Sequence, residues 1–88
     1  MPLHRVIVIG VGWIGERHVR CFQATGRADV MLVDTRDALA REVSRRYGVP
    51  AYANLQAALS RQPTAAVIAT PAPLHVPQAT QLVQSLRL

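Results

Sequence analysis

The run Arg5-Val6-Ile7-Val8-Ile9 ends abruptly in Gly10-Val11-Gly12-Trp13-Ile14-Gly15. A continuous β-branched run predicts a strand buried on both faces, which is the habit of a parallel sheet. Glycines at this spacing then predict a tight turn that opens directly into a helix. The alternation continues along the chain. A helix is expected from Trp13 to about Thr25, with Ile14, His18, Cys21 and Phe22 on its inner stripe and Gly26 as a C-cap. Asp29 to Val33 forms a second strand. Asp34 or Thr35 caps a helix to about Tyr47 that buries Ala40, Val43 and Tyr47 and stops at Gly48 and Pro50. A short third strand falls within Val49 to Ala53, and Asn54 caps a small helix through Ser60. Ala65 to Ala69 is a fourth strand. After the turn Thr70-Pro71-Ala72-Pro73, a last helix starts near Leu74 or His75, with Val76, Ala79, Val83 and Leu86 as its buried stripe. Strands alternating with helices imply parallel pairing through right-handed crossovers. The expected fold is therefore α/β: a partial, Rossmann-like, doubly wound sheet of about four strands in the order 3-2-1-4.

Other classes fall away on composition. The chain has 88 residues, room for one domain, and half of them are hydrophobic, too many for a disordered chain. No apolar run approaches the roughly 20 residues that span a bilayer, so no membrane is expected. The first apolar stretch ends in glycines without a small-residue cleavage site, so the reading is cytoplasmic. A single cysteine, Cys21, leaves no intrachain disulfide and no multi-cysteine metal site, so no metal is expected. Cys21 reads as a small buried hydrophobe, and His4 as exposed. The net charge is +5, but the arginines are scattered and no aromatic row accompanies them, which speaks against a nucleic-acid partner. The sequence contains no lysine, which removes Schiff-base chemistry from this chain.

The chemistry points to a dinucleotide. From Gly15 to Asp34 is 34 − 15 = 19 residues, close to the spacing of about 20 between a glycine fingerprint and the acid that accepts from the adenosine ribose. Gly10 permits the turn, Gly12 lets a pyrophosphate approach the backbone, and Gly15 lets helix pack on strand. The amides near Trp13 and Ile14 are helix N-terminal donors suited to an anion. The Trp13 ring reads as packing or loop cover rather than a stacking platform, and His18 as a packing histidine. Asp34 would repel a 2′-phosphate and so favours NAD. Thr35 and Arg36 follow it, and Arg36 can partly accommodate that phosphate, which keeps NADP open. Thr70, Pro71 and His75 follow the fourth strand, at the sheet end where ligands sit. These eleven positions form the expected cofactor site, with no catalytic residue among them.

Together these residues resemble the amino-terminal half of the Gfo/Idh/MocA oxidoreductases, the glucose-fructose oxidoreductase and inositol dehydrogenase family. Gly10 to Gly15 running on into Glu16-Arg17-His18 is similar to that family's G-x-G-x-x-G-x-x-H. Val33-Asp34 matches its second strand end, and Ala69-Thr70-Pro71 with His75 its A-T-P-x-x-x-H. The helix from Asp37 to Tyr47 and the segment Val49-Pro50-Ala51-Tyr52 look like its passage into the third strand. Ala72 stands where many members carry asparagine, which removes a side-chain hydrogen bond. The resemblance implies hydride transfer between a nicotinamide and a carbinol carbon of a sugar, cyclitol or related polyol. It also implies a fifth strand with a Glu-Lys-Pro motif and a C-terminal substrate domain, neither of which these residues contain. The expectation is a single partial dinucleotide-binding domain over residues 1–88 that catalyses nothing alone. An exposed fourth-strand edge is expected to pair two copies into a homodimer. The residues also leave open a non-enzymatic nucleotide-binding or interaction module on the same half-fold.

Overall fold

In the computed structural model, which describes residues 3–70 and 74–86, the central strand β1 (His4–Ile9) is flanked by β2 (Ala28–Val33) and β4 (Ala65–Ile68). A short β3 (Ala51–Tyr52) lies outside β2, so the all-parallel order is β3-β2-β1-β4, as the sequence predicts. The β1–β2 register runs from His4 opposite Ala28 to Ile9 opposite Val33. The β1–β4 register runs from Val6 opposite Ala65 to Ile9 opposite Ile68.

Side chains alternate across a strand, so a sheet covered on both faces divides its apolar residues into two cores. Val8, Val30 and Leu32 lie in one core with Val19, Ala40 and Val43 from the first two helices. Ile7, Ile9, Met31 and Val33 lie in the other with Leu55, Ala58 and Leu82. Each fully buried aliphatic side chain is worth roughly 1.5–3 kcal/mol, and β1 alone contributes four such side chains, Val6 to Ile9.

The helices form where their caps and apolar faces predict, with two errors of phase. α1 (Trp13–Ala24) buries Gly15 and Val19, not Ile14 and Cys21. Ile14 is 60% exposed, and Cys21 is an exposed free thiol rather than a buried hydrophobe. His18 is half-buried beside Phe22. The inner face is one residue out of phase because Gly15 packs by having no side chain, and hydrophobic periodicity does not register a glycine.

α2 (Asp37–Tyr47) buries Ala40 and Val43 as expected and ends on Gly48, whose φ of 67° is the left-handed C-terminal conformation. Its N-cap is Arg36, which makes no side-chain cap bond, rather than Asp34 or Thr35. α3 (Leu55–Leu59) is capped by Asn54, whose side chain accepts from the Ala57 amide at 2.8 Å.

α4 (His75–Leu86) turns the opposite way from expectation. Val76 is 75% and Val83 48% exposed, Ala79 is exposed too, and Leu82 is the residue that enters the core. The expected buried position Leu86 has no described side chain. The apolar stripe is real, but it faces outward. Among the described residues no helix is long and apolar enough to cross a membrane.

Candidate functional site

The chain leaves β1 toward β2 on one side and reaches β4 on the other, so a crevice opens beyond the carboxyl ends of these strands. Gly10 closes β1 there, with its amide donating to the Val33 carbonyl at 2.7 Å. Its φ of +87° is one that side-chain-bearing residues avoid, and a Cβ would also come within 2.8 Å of Thr70 Cγ2. Gly15 sits below the crevice, where a Cβ would lie 1.7 Å from the Gly10 carbonyl oxygen. That contact is the close helix–strand packing the fingerprint exists to permit. Gly12 differs from both: a Cβ there would meet only Arg36 Nη2, at 3.7 Å, on a side open to the crevice. Beyond it the Glu16 amide makes the first helical bond to the Gly12 carbonyl at 2.8 Å. The amides before it have no acceptor within α1 and point where an anion would sit.

The crevice has a volume of about 700 Å3, within the range of small-molecule sites. Gly10, Gly12, Trp13, Ile14, Asp34, Thr35, Arg36 and Thr70 all line it, so the structure brings together eight of the eleven expected residues. Gly15 supports it from beneath. His75 lies behind Thr70, its Nε2 2.5 Å from the Thr70 carbonyl oxygen, and so ties the start of α4 to the end of β4. Pro71 lies outside the described residues. Trp13 is 85% exposed, so its ring covers no loop and packs against nothing in the free chain.

The sequence reading missed Gln78, which lines the crevice one turn into α4 and accepts from the Thr70 hydroxyl at 2.5 Å. A signal was present, since Gln78 lies at i+3 from Leu74, another crevice residue, and so shares its helical face.

Asp34 is the buried polar residue of the site, with 7% exposure. Its Oδ2 accepts from the Val11 amide at 2.9 Å and from Arg36 Nη2 at 2.7 Å. Its Oδ1 accepts from the Arg36 amide at 2.8 Å and from Arg36 Nε at 2.9 Å. Burial pushes this carboxyl up, but the bonds from the Arg36 guanidinium and from the Val11 and Arg36 amides, with the Arg36 charge, outweigh it. The balance takes the group from its usual 3.8 down to about 2. A carboxylate whose pKa falls on folding stabilises the fold in full above the unfolded value and loses that contribution as pH falls toward the folded one. We therefore expect a loss of stability on acidification from 3.8 to about 2 that Asp34→Asn does not share. Urea midpoints of both proteins across that window measure it, and parallel pH curves would refute it.

α1 is also fixed from its outer side. Glu16 Oε1 accepts from Tyr47 Oη at 2.9 Å and from Arg46 Nη1, bonds that tie the first turn of α1 to the last turn of α2. The Tyr47 bond is the main influence on Glu16; although burial opposes it, that bond and the Arg46 contacts leave the carboxyl below its usual range.

This geometry agrees with what the chain is similar to. The sequence model described as "Oxidoreductase family, NAD-binding Rossmann fold" (GFO_IDH_MocA) matches residues 4–86. A comparison with curated protein sequences finds no significant match. Among solved structures, GenD2 from gentamicin A biosynthesis, in complex with NAD, superposes with a TM-score of 0.91 at 29% identity over 97% of this chain. The WlbA dehydrogenase from Bordetella pertussis, in complex with NADH and UDP-GlcNAcA, gives 0.85 at 26% identity over 97%. A myo-inositol dehydrogenase from Corynebacterium glutamicum, at 24% identity over 93% of this chain with a TM-score of 0.84, shows the shared fold. The chain spans about a quarter of each: 25%, 26% and 25% of their lengths. With a glycine turn, an acid and a fourth strand disposed as a dinucleotide crevice, the chain belongs to the Gfo/Idh/MocA oxidoreductase family, within its NAD-binding Rossmann fold.

Proposed function

We propose that this chain holds the adenosine and pyrophosphate end of NAD as the front part of a dehydrogenase cofactor domain. The pyrophosphate rests over Gly12 against the first amides of α1, and the adenosine ribose hydroxyls reach Asp34. Thr70 and Gln78 wall the other side. The observation that carries this reading is the space at Gly12, open on the crevice side and facing a buried carboxylate. The nicotinamide supplies the hydride chemistry when bound, and the residues here bind and orient it. The substrate class is a sugar, cyclitol or related polyol, in keeping with the uronate sugar nucleotide and inositol named for similar structures. The reading is also cytoplasmic, in keeping with the exposed free thiol of Cys21. Calorimetry of the chain with NAD and with ADP-ribose tests the central claim. Both are expected to bind within a few-fold of each other, because the contacts named lie on their shared half. Absence of binding by both would overturn it.

A homodimer completes the proposal. Among the described residues no strand pairs with the outer edge of β4, and an unpaired edge is a template for another chain. The outward stripe of Val76, Ala79 and Val83 adds apolar surface on α4. Light scattering is expected to give twice the 9.6 kDa chain mass, and a monomer that persists at high concentration would refute the pairing.

A further inference from the structure

The Asp34 carboxylate offers a ribose diol no free face. Both oxygens already accept twice, and two of the four bonds come from the side chain of Arg36. The other two come from backbone amides, so they orient the carboxylate whatever residue 36 carries. The Arg36 side chain is anchored only by this fork: it is 60% exposed, against 5% for that of Asp34. Its Nη2 also lies 3.7 Å from the place a Gly12 Cβ would take. The guanidinium therefore spans the mouth of the crevice from the acid to the glycine turn.

We propose that Arg36 is an internal competitor for the ribose subsite and thereby sets the choice between NAD and NADP. This rests on the dinucleotide reading above. An incoming ribose diol must displace the Arg36 fork before Asp34 can accept from it, so NAD binds against a charge-assisted pair. A 2′-phosphate meets a different balance. It is repelled by Asp34, yet it offers the displaced guanidinium an anion of matching geometry in place of the carboxylate. Arg36 thus lowers affinity for the unphosphorylated cofactor and raises it for the phosphorylated one. A chain with an acid at this strand end is then less selective for NAD than the acid alone implies.

The test is binding calorimetry on the full chain and on Arg36→Gln, with ADP-ribose and 2′-phospho-ADP-ribose as probes. Arg36 is exposed and both backbone bonds to Asp34 survive the change, so the variant keeps its fold, which circular dichroism verifies. Relative to the unmodified chain, ADP-ribose is expected to bind as tightly or more tightly, and 2′-phospho-ADP-ribose about tenfold more weakly. Arg36→Lys keeps the charge without the fork and should recover part of the phosphorylated probe's affinity. An equal loss for both probes would make Arg36 a general anion contact and overturn the proposal, as would no change in either. If the unmodified chain binds neither probe, the dinucleotide reading fails as well, whereas binding with an unchanged ratio removes the Arg36 assignment alone.

Discussion

Gly15→Ala is expected to cost the fold at least about 3 kcal/mol, the upper end of what overpacking normally costs. The added methyl would lie 1.7 Å from the Gly10 oxygen and 2.7 Å from its carbonyl carbon. Both are backbone atoms, held in place by the Gly10 bond to Val33 on one side and by α1 on the other. Relief requires α1 to lift off β1, which would open the core around Val8 and Val19. A chain of this size has roughly 0.05–0.15 kcal/mol of stability per residue, so the loss is a large share of the total. Gly26 and Gly48 make the comparison sharp. Their φ values are 68° and 67°, where a side chain is strained, but nothing lies within 4 Å of a Cβ at either. Gly26→Ala and Gly48→Ala should each cost only about 1–2 kcal/mol. Urea denaturation of the three variants gives the ranking. Gly15→Ala within 1 kcal/mol of the parent, on the order of the φ penalty alone, would show that helix and strand are not packed as described.

Gly12→Val separates binding from folding in the opposite sense. The side chain enters open crevice and touches at most the mobile end of Arg36. Stability should stay within about 0.5 kcal/mol of the parent, as for surface substitutions generally. Affinity for NAD should fall by about two orders of magnitude or more, because the branched side chain fills the space through which a pyrophosphate reaches the α1 amides. Calorimetry and a urea midpoint on the same sample decide it. NAD binding at parental strength would mean that the ligand does not rest on this turn.

The parts of this protein legible in the sequence are those whose signal is carried by side chains in regular repetition. The β1 run, the Gly48 stop and the Asn54 cap each state their structure locally, and strand alternation yields the 3-2-1-4 order. The errors arise where a partner, not a pattern, decides. Ile14 and Gly15 are neighbours, and periodicity favours the larger apolar residue, yet the Gly10 carbonyl leaves room for the glycine alone. In α4 the valine stripe is legible, but which side of it meets the sheet depends on where β1 and β4 lie. Gln78 and the Arg36 fork were illegible for a related reason. Each acts on a group distant in space or oddly placed in the chain, so neither has a spacing rule.

Trp13 gives the crevice its own optical readout. The chain has a single tryptophan, and it stands 85% exposed on the lip beside Gly12. Its emission in the free chain is that of an indole in water, red-shifted and open to collisional quenchers such as iodide. The remaining aromatic residues, Phe22, Tyr47 and Tyr52, pack against the cores well below that lip. Excitation at the red edge of protein absorption therefore selects one position, at the entrance to the crevice, and reports its solvation without a label.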